Sequence, residues 1–247
     1  MSQYSQFGLS SSAIRRFPFA AQEPISLQQM IAERNSTAAP RPPNSRPLQN
    51  RVDPFGEIHA VLERGSMMGN RGGPLHRDDR TLTGRRWTSK RWIVCVCSFK
   101  GRWREVWGKG YTELFFLDEP TALSAGHRPC FECRRGAAKA FLAAFPGRPS
   151  GADPMDEALH DERVENRRKR LWRARLGDLP EGAMIALSGR AYAVRSSMLW
   201  PWSFTGYGAP LPLEPGVIAE VLTPPSTVSA LAGGYRPMWA EALNASP

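Results

Sequence analysis

The segment ELFFLDEPTALSAGHRPCFECRR (113–135) predicts a strand, then a short helix, then a cysteine pair, and this succession decides much of the fold. Its first residues are bulky and apolar, which favours a strand. Asp118 suits a helix N-cap, and Pro120 falls in the first turn, where its missing N–H breaks no helical hydrogen bond. Gly126 then predicts the end of the helix. The cysteines therefore follow directly on a short helix.

Cys130 and Cys133 form a C-x-x-C motif. Two residues between thiolates let the backbone fold into a knuckle that places both sulfurs on one ion at about 2.3 Å. A redox pair is one alternative, but that motif usually opens a helix after a buried parallel strand. Two unrelated thiols are another. We predict a Zn²⁺ site as the main interpretation.

The other two cysteines, Cys95 and Cys97, lie in the apolar segment 91–99. In a regular strand residues i and i+2 share a face, with Cβ atoms about 6.5 to 7 Å apart. Thiolates on one tetrahedral zinc sit closer, at about 3.8 Å. We expect one of the two to be a ligand. The candidates for the fourth position are the other cysteine, His59, His76 and His127.

The segment 113–135 resembles the second half of the Ada-type zinc-binding module, and MGNRGGPLH (68–76) resembles its upstream part. That module occurs in the methyl-phosphotriester DNA repair domain and as an appendage of some bacterial nucleases. The resemblance implies a ligand set of His76, Cys95, Cys130 and Cys133, with Cys97 as the rival of His76. The positions that match the downstream pattern are Leu123, Ala125, Gly126, Arg128, Pro129, Cys130 and Cys133.

The central part of the chain is predicted to be a three-stranded antiparallel meander. Residues 91–99, 102–107 and 111–117 are rich in β-branched and aromatic residues and are separated by glycine turns. Residues 65–90 are rich in Gly, Arg and Asp and are predicted to be a long basic loop. A second helix is predicted over 136–145.

The C-terminal part is predicted to begin with a long charged helix. This helix opens at Asp153, where a proline follows the N-cap, and runs to about Leu176. A hairpin with Gly189 in its turn is predicted over 183–196, and a strand over 217–222. Ser226 is predicted to cap a final helical turn.

These patterns predict an α+β protein in three parts. Residues 1–50 contain many Pro, Ser, Asn and Gln, and we expect a disordered tail because little apolar surface offsets the entropy of ordering. Residues 51–147 are predicted to form the zinc-binding domain. Residues 153–247 are predicted to add the charged helix and a small β-rich region.

Composition excludes several classes of protein. The 247 residues contain only four cysteines, which is too few for a disulfide scaffold. No stretch approaches the roughly 20 apolar residues of a membrane span, and no signal peptide is apparent at the N-terminus. We therefore expect a cytoplasmic protein without a membrane partner.

Positive charge gathers around the predicted zinc module. The net charge of the chain is +10, and residues 71–109 alone carry a net charge of +8. Trp87, Trp92 and Trp103 are interleaved there and suit stacking on bases. This pattern predicts DNA or RNA as a partner, although tryptophans in strands are commonly core residues. The predicted contact residues are Arg71, Arg85, Arg86, Lys90, Arg91, Arg102 and Arg104.

The sequence gives little reason to expect an enzyme. It contains no P-loop, no G-x-S-x-G and no H-E-x-x-H motif. Asp78 and Asp79 beside His76 leave a zinc-dependent phosphodiesterase open. A zinc-thiolate methyl acceptor in DNA repair is a second alternative, and a protein-interaction module using 200–202 a third. The preferred hypothesis is a zinc-binding protein that contacts nucleic acid.

Overall fold

The computed structural model describes residues 46–102 and 105–240. These residues contain four α-helices and fifteen short strands, so the chain has mixed α+β content that is mostly sheet. The predicted tail falls almost entirely outside the described residues. Its last part does not, since residues 46–50 are described and the Asn50 side chain is fully buried.

Six short strands form the first sheet, in the spatial order β2-β1-β5-β3-β4-β6. Most neighbours are antiparallel, but β1 pairs with β5 and β4 pairs with β6 in parallel. The sheet is therefore mixed. Its strands are β1 (Arg51–Val52), β2 (Ile58–His59), β3 (Met67–Asn70), β4 (Ile93–Val96), β5 (Leu114–Phe116) and β6 (Arg128–Pro129).

The predicted three-stranded meander is wrong. Strand β3, which lies in the stretch expected to be a loop, separates β4 from β5 and is antiparallel to both. The strand expected over 102–107 is absent from the described residues 105–107. Gly69 is the reason that the sequence pattern does not indicate β3. It weakens the apolar pattern, yet a Cβ there would lie 2.2 Å from the Ile93 carbonyl oxygen, so close strand packing requires glycine.

The two helices around the cysteine pair match their prediction. Helix α1 (Glu119–Ser124) has Asp118 as its N-cap, whose carboxylate accepts a hydrogen bond from the Thr121 N–H at 3.1 Å. Gly126 follows the helix with φ of +90°, the left-handed conformation that stops helices. Helix α2 (Arg135–Ala144) begins two residues after Cys133, with Arg134 as its N-cap.

The predicted length of the long charged helix is wrong. Helix α3 (Ala152–Arg163) starts after Gly151 and stops thirteen residues before Leu176. Asn166 and Arg167 adopt φ of +48° and +63°, so the chain turns there and forms a hairpin. Residues expected in the helix beyond this point lie in strands instead, namely β7 (Val164–Glu165), β8 (Arg168–Lys169) and β9 (Trp172–Arg175). Strand β8 pairs with β7, and β9 pairs in the second sheet.

The second sheet is antiparallel throughout its described pairs and contains the predicted hairpin and the predicted strand. Ser188 and Gly189 both have positive φ, as the tight hairpin turn requires. Its strands are β9, β10 (Met184–Leu187), β11 (Arg190–Arg195), β12 (Met198–Ser203), β13 (Gly206–Tyr207), β14 (Leu211–Pro212) and β15 (Ile218–Val221). The expected final turn is the helix α4 (Pro225–Ala232), with Ser226 inside it rather than at its N-cap.

The largest apolar core lies between helices α2, α3 and α4 and one face of the second sheet. Phe141, Leu159, Ile185 and Leu231 are nearly inaccessible members of it. Met184 points to the opposite face of the sheet, into a smaller apolar cluster. The main core joins residues from both sides of the predicted boundary at 147–153, and the division into two domains stays a prediction.

No helix among the described residues combines the length and the apolar character that crossing a membrane would take.

Candidate metal centre

A parallel strand pair brings three cysteines together. Cys95 lies on β4, and β6 runs beside it, so that the Cys130 N–H donates to the Val94 carbonyl oxygen at 3.0 Å. The chain then turns, and Cys133 comes back toward the same point. The Sγ atoms of Cys95, Cys130 and Cys133 all lie within 4.8 Å of one another. This cysteine cluster could hold a metal ion.

Backbone N–H groups point at the sulfurs of the cluster. The Glu132 N–H donates to Cys130 Sγ at 3.3 Å, and the Val96 N–H donates to Cys133 Sγ. Such donors stabilise thiolates, because they place partial positive charge against the sulfur. The turn thus has the form of the predicted knuckle.

The three thiols also act on one another. Hydrogen bonding from the Cys95 thiol lowers the pKa of Cys130 to about 5 and lowers the pKa of Cys133. The pKa of Cys95 is raised, because its thiol donates to both neighbouring sulfurs. These directions place the shared proton of the cluster on Cys95. A bound cation would displace that proton, because metal ligands must be thiolates.

Neither predicted candidate for the fourth ligand belongs to the cluster. His76 Nδ1 lies 2.7 Å from Thr112 Oγ1, and its ring stacks on Trp107 at 5.0 Å. The Cys97 thiol donates to the Ser66 carbonyl oxygen at 3.4 Å. Across the described residues, which include all four histidines and all four cysteines, no fourth His, Cys, Asp or Glu side chain joins the three cysteines.

The remaining candidates have other partners. His59 Nε2 lies 2.8 Å from an Asp53 carboxylate oxygen. His127 is buried between Trp92 and Phe116, with ring centroids at 5.2 and 4.7 Å. Burial, with nearby arginines, holds the pKa of His127 well below its usual value.

Asp79, proposed with Asp78 as a binding pair for a divalent ion, accepts hydrogen bonds from the Thr81 N–H and hydroxyl at 2.9 and 2.6 Å. Its carboxylate shapes a turn within its own loop.

A cavity of about 610 Å³ opens beside the cysteine cluster. All four cysteines of the chain line it, so Cys95 and Cys97 face the same space as their spacing predicts. Its remaining walls mix apolar and aromatic side chains, such as Phe99 and Phe115, with arginines and glutamates. No sequence pattern indicates this cavity, because its walls come from six stretches of chain, at 48, 64–70, 80, 93–106, 111–115 and 130–133.

The basic residues predicted to contact nucleic acid do not form one free surface. Arg71 is buried, donates to the Gly56 carbonyl oxygen at 2.9 Å and lies over the Trp92 ring at 4.1 Å. Arg85 is exposed, and Arg104 lies outside the described residues. The others have carboxylate partners, in the ion pairs Arg86–Glu57, Lys90–Glu157, Arg91–Asp153 and Arg102–Glu132.

Two basic runs that are distant in sequence nevertheless meet. The Arg167 guanidinium donates to the Gly84 carbonyl oxygen at 3.2 Å, which places the β7–β8 turn beside Arg85. Arg86, Arg168 and Trp87 line the shallow pocket between them. The sequence pattern predicts a helix over 167–170, and this prediction gives no reason for the run to lie beside Arg85.

No family model, curated protein or solved structure matches this chain. The resemblance to the Ada-type module therefore rests on the residues of 68–76 and 113–135 alone. Any function must be argued from the geometry of the cysteine cluster and its surroundings.

Proposed function

We propose that this chain is a zinc-binding protein in which Cys95, Cys130 and Cys133 hold one Zn²⁺ ion. The observation that carries the proposal is the approach of their three sulfurs to within 4.8 Å of one another. Three thiolates form a soft ligand set, which selects zinc over the hard cations magnesium and calcium. The resemblance of 113–135 to the Ada-type module supports the same ion.

The ion would join two parts of the fold. Cys95 lies in the first sheet, while Cys130 and Cys133 lead into helix α2. Metal binding to a site that the unfolded chain lacks contributes directly to folding free energy. Zinc is therefore expected to stabilise the junction between β4, β6 and α2.

Elemental analysis of the purified protein tests the proposal. We expect about one zinc per chain, and Cys130→Ser should lose it. Cys97→Ser is the matched control, since Cys97 lies on the same cavity but outside the cluster. A wild-type protein that takes up no zinc, or a Cys130→Ser protein that keeps it, would refute the assignment.

Contact with the phosphates of DNA or RNA is a second proposed function, and one observation favours it. The exposed side chains of Arg85, Arg167 and Arg168 come from two separate basic runs that meet at Trp87. The guanidinium group of arginine suits phosphate, because it can donate two parallel hydrogen bonds. Exposed ion pairs nearby contribute little stability, so replacing a carboxylate partner by a phosphate costs little.

Salt dependence tests this second proposal. Affinity should fall with salt at a log–log slope of about −0.9 per phosphate contact on duplex DNA. Replacing Arg85, Arg167 and Arg168 together by alanine should flatten the slope. The control removes the same charge elsewhere, at the exposed Arg148, Arg173 and Arg190. Equal effects of the two triple variants would mean that only net charge matters.

A further inference from the structure

The cysteine cluster supplies three ligands, whereas zinc in proteins takes four. Structural zinc sites fill all four positions with protein groups, and sites that act on a substrate keep one open. Every cysteine and histidine of the chain is among the described residues, and only three of these eight side chains form the cluster. Within 46–102 and 105–240 no Asp or Glu joins the cluster either, so these residues leave the fourth position open to a ligand from outside.

The cavity gives such a ligand a place. Its volume of about 610 Å³ falls within the range of small-molecule sites, about 300 to 1,000 Å³. All three sulfurs of the cluster border it, together with apolar side chains such as Met68 and Phe115. A molecule in the cavity would therefore touch the metal on one side and apolar walls on the other.

The charges of the cavity indicate which chemical group the molecule carries. Three arginines and three glutamates line it. Two arginines face two of the glutamates, in the pairs Arg80–Glu105 at 3.5 Å and Arg102–Glu132 at 2.6 Å, and the third glutamate, Glu113, accepts a hydrogen bond from the Trp107 N–H at 2.8 Å. Within 46–102 and 105–240, Arg64 forms no ion pair with a carboxylate. Its guanidinium lies over the Phe115 ring at 4.4 Å, against the cavity wall. This cation is free to bind an anionic ligand.

We propose that the cavity binds a small thiol that carries a carboxylate, with the thiol sulfur in the fourth position on zinc and the carboxylate on Arg64. The proposal rests on the proposed zinc site. A soft sulfur ligand suits a zinc ion that is already held by thiolates. The negative charge of the thiolates weakens the Lewis acidity of the zinc ion and so its hold on a water ligand. On binding, the S–H bond breaks, a Zn–S bond forms and the proton passes to solvent.

Cobalt-substituted protein provides the test, because tetrahedral Co²⁺ absorbs visible light and its sulfur charge-transfer band grows with each thiolate. Metal uptake is measured first, by elemental analysis. The loaded full-length protein is then titrated with 3-mercaptopropionate, 2-mercaptoethanol and 3-hydroxypropionate. We expect both thiols to raise the charge-transfer band and 3-hydroxypropionate to leave it unchanged. The carboxylate should strengthen thiol binding about fivefold, as one partly exposed ion pair does.

Arg64→Ala should abolish the preference for 3-mercaptopropionate while metal uptake stays the same. Arg148→Ala, which removes an exposed arginine that does not line the cavity, should retain the preference. A spectrum that no thiol changes would overturn the proposal. A spectrum of four thiolates before any thiol is added would overturn it as well, if Cys97→Ala reduced the number to three. Cys97 would then occupy the fourth position on the metal.

The failure of the zinc site itself is distinguishable from these outcomes. A protein that takes up neither zinc nor cobalt refutes both proposals at the first measurement. A protein that takes up one ion but ignores thiols refutes only the ligand.

Discussion

The cysteine cluster and the second sheet are stabilised in opposite ways. Around the cluster, three thiols have one another and a few N–H groups as partners, and a large cavity lies beside them. The second sheet packs apolar side chains on both faces, with Ile185 in one cluster and Met184 in the other. With the proposed zinc ion, the first region would gain stability from the metal, whereas the second is held by apolar packing within the chain.

Metal removal should show the largest difference between the two regions. With EDTA, we expect the amide protons around the cluster, such as those of Val96 and Glu132, to lose protection against exchange by about a hundredfold or more. Amides of β10 and β11 should change by less than about twofold. Hydrogen–deuterium exchange read by mass spectrometry measures both. Equal loss in the two regions would show that the fold responds to the metal as one unit.

Truncating a side chain of the main core should lower the stability of the protein by the same amount with and without metal. Phe141 is fully buried and packs edge-to-face on Tyr235 at 5.1 Å. Phe141→Ala is expected to lower the free energy of unfolding by about 4 kcal/mol. Ile218→Ala, at a position on β15 that is 53% exposed, should cost less than about 1 kcal/mol. Urea unfolding with and without zinc checks this. A cost for Phe141→Ala that depends strongly on zinc would contradict the separation.

Lowering the pH should also distinguish the two regions, through a smaller change in the free energy of unfolding. His127, behind the cluster, is buried among Arg71, Arg163 and Lys169, and burial followed by these cations holds its pKa well below 6.5. The unfolded chain therefore binds the proton more tightly. The stability that His127 supports is complete above about pH 6.5 and falls below it, by up to about 1.4 kcal/mol per pH unit.

His127→Phe should remove this slope, because the ring packing is kept and the titrating group is gone. Stability of the two zinc-loaded proteins is compared from pH 7 down to about pH 5, so that protonation of the thiolates affects both alike. The second sheet contains none of the four histidines and gives no such slope. Identical slopes in the two proteins would exclude His127 as the source.

Local patterns in the sequence predicted local structure well. Asp118 and Gly126 bound helix α1 as their capping preferences indicate, and Ser188–Gly189 forms the turn of the β10–β11 hairpin. The errors concern pairing. The meander is wrong because β3 inserts between β4 and β5, and the long helix is wrong because Asn166 and Arg167 turn the chain into strands.

The candidate site divides in the same way. The spacing of Cys130 and Cys133 predicts that both sulfurs approach one point, and the structure brings them together. The sequence could not choose between Cys95 and Cys97, because residues i and i+2 of a strand share one face. No sequence pattern indicates a role for Arg64, since an isolated arginine in a loop belongs to no recognisable motif.

The sequence by itself determined the knuckle, the helix that precedes it and the charged, cysteine-poor character of the chain. These depend on capping, turn conformation and composition, which act over a few residues. The tertiary structure decided that Cys95 joins the knuckle, that a cavity opens beside it and that the basic runs at 85–86 and 167–168 meet. Each of these requires segments far apart in sequence to pair, and many apolar strands could pair with similar free energy. Only the packing of the whole chain selects among them.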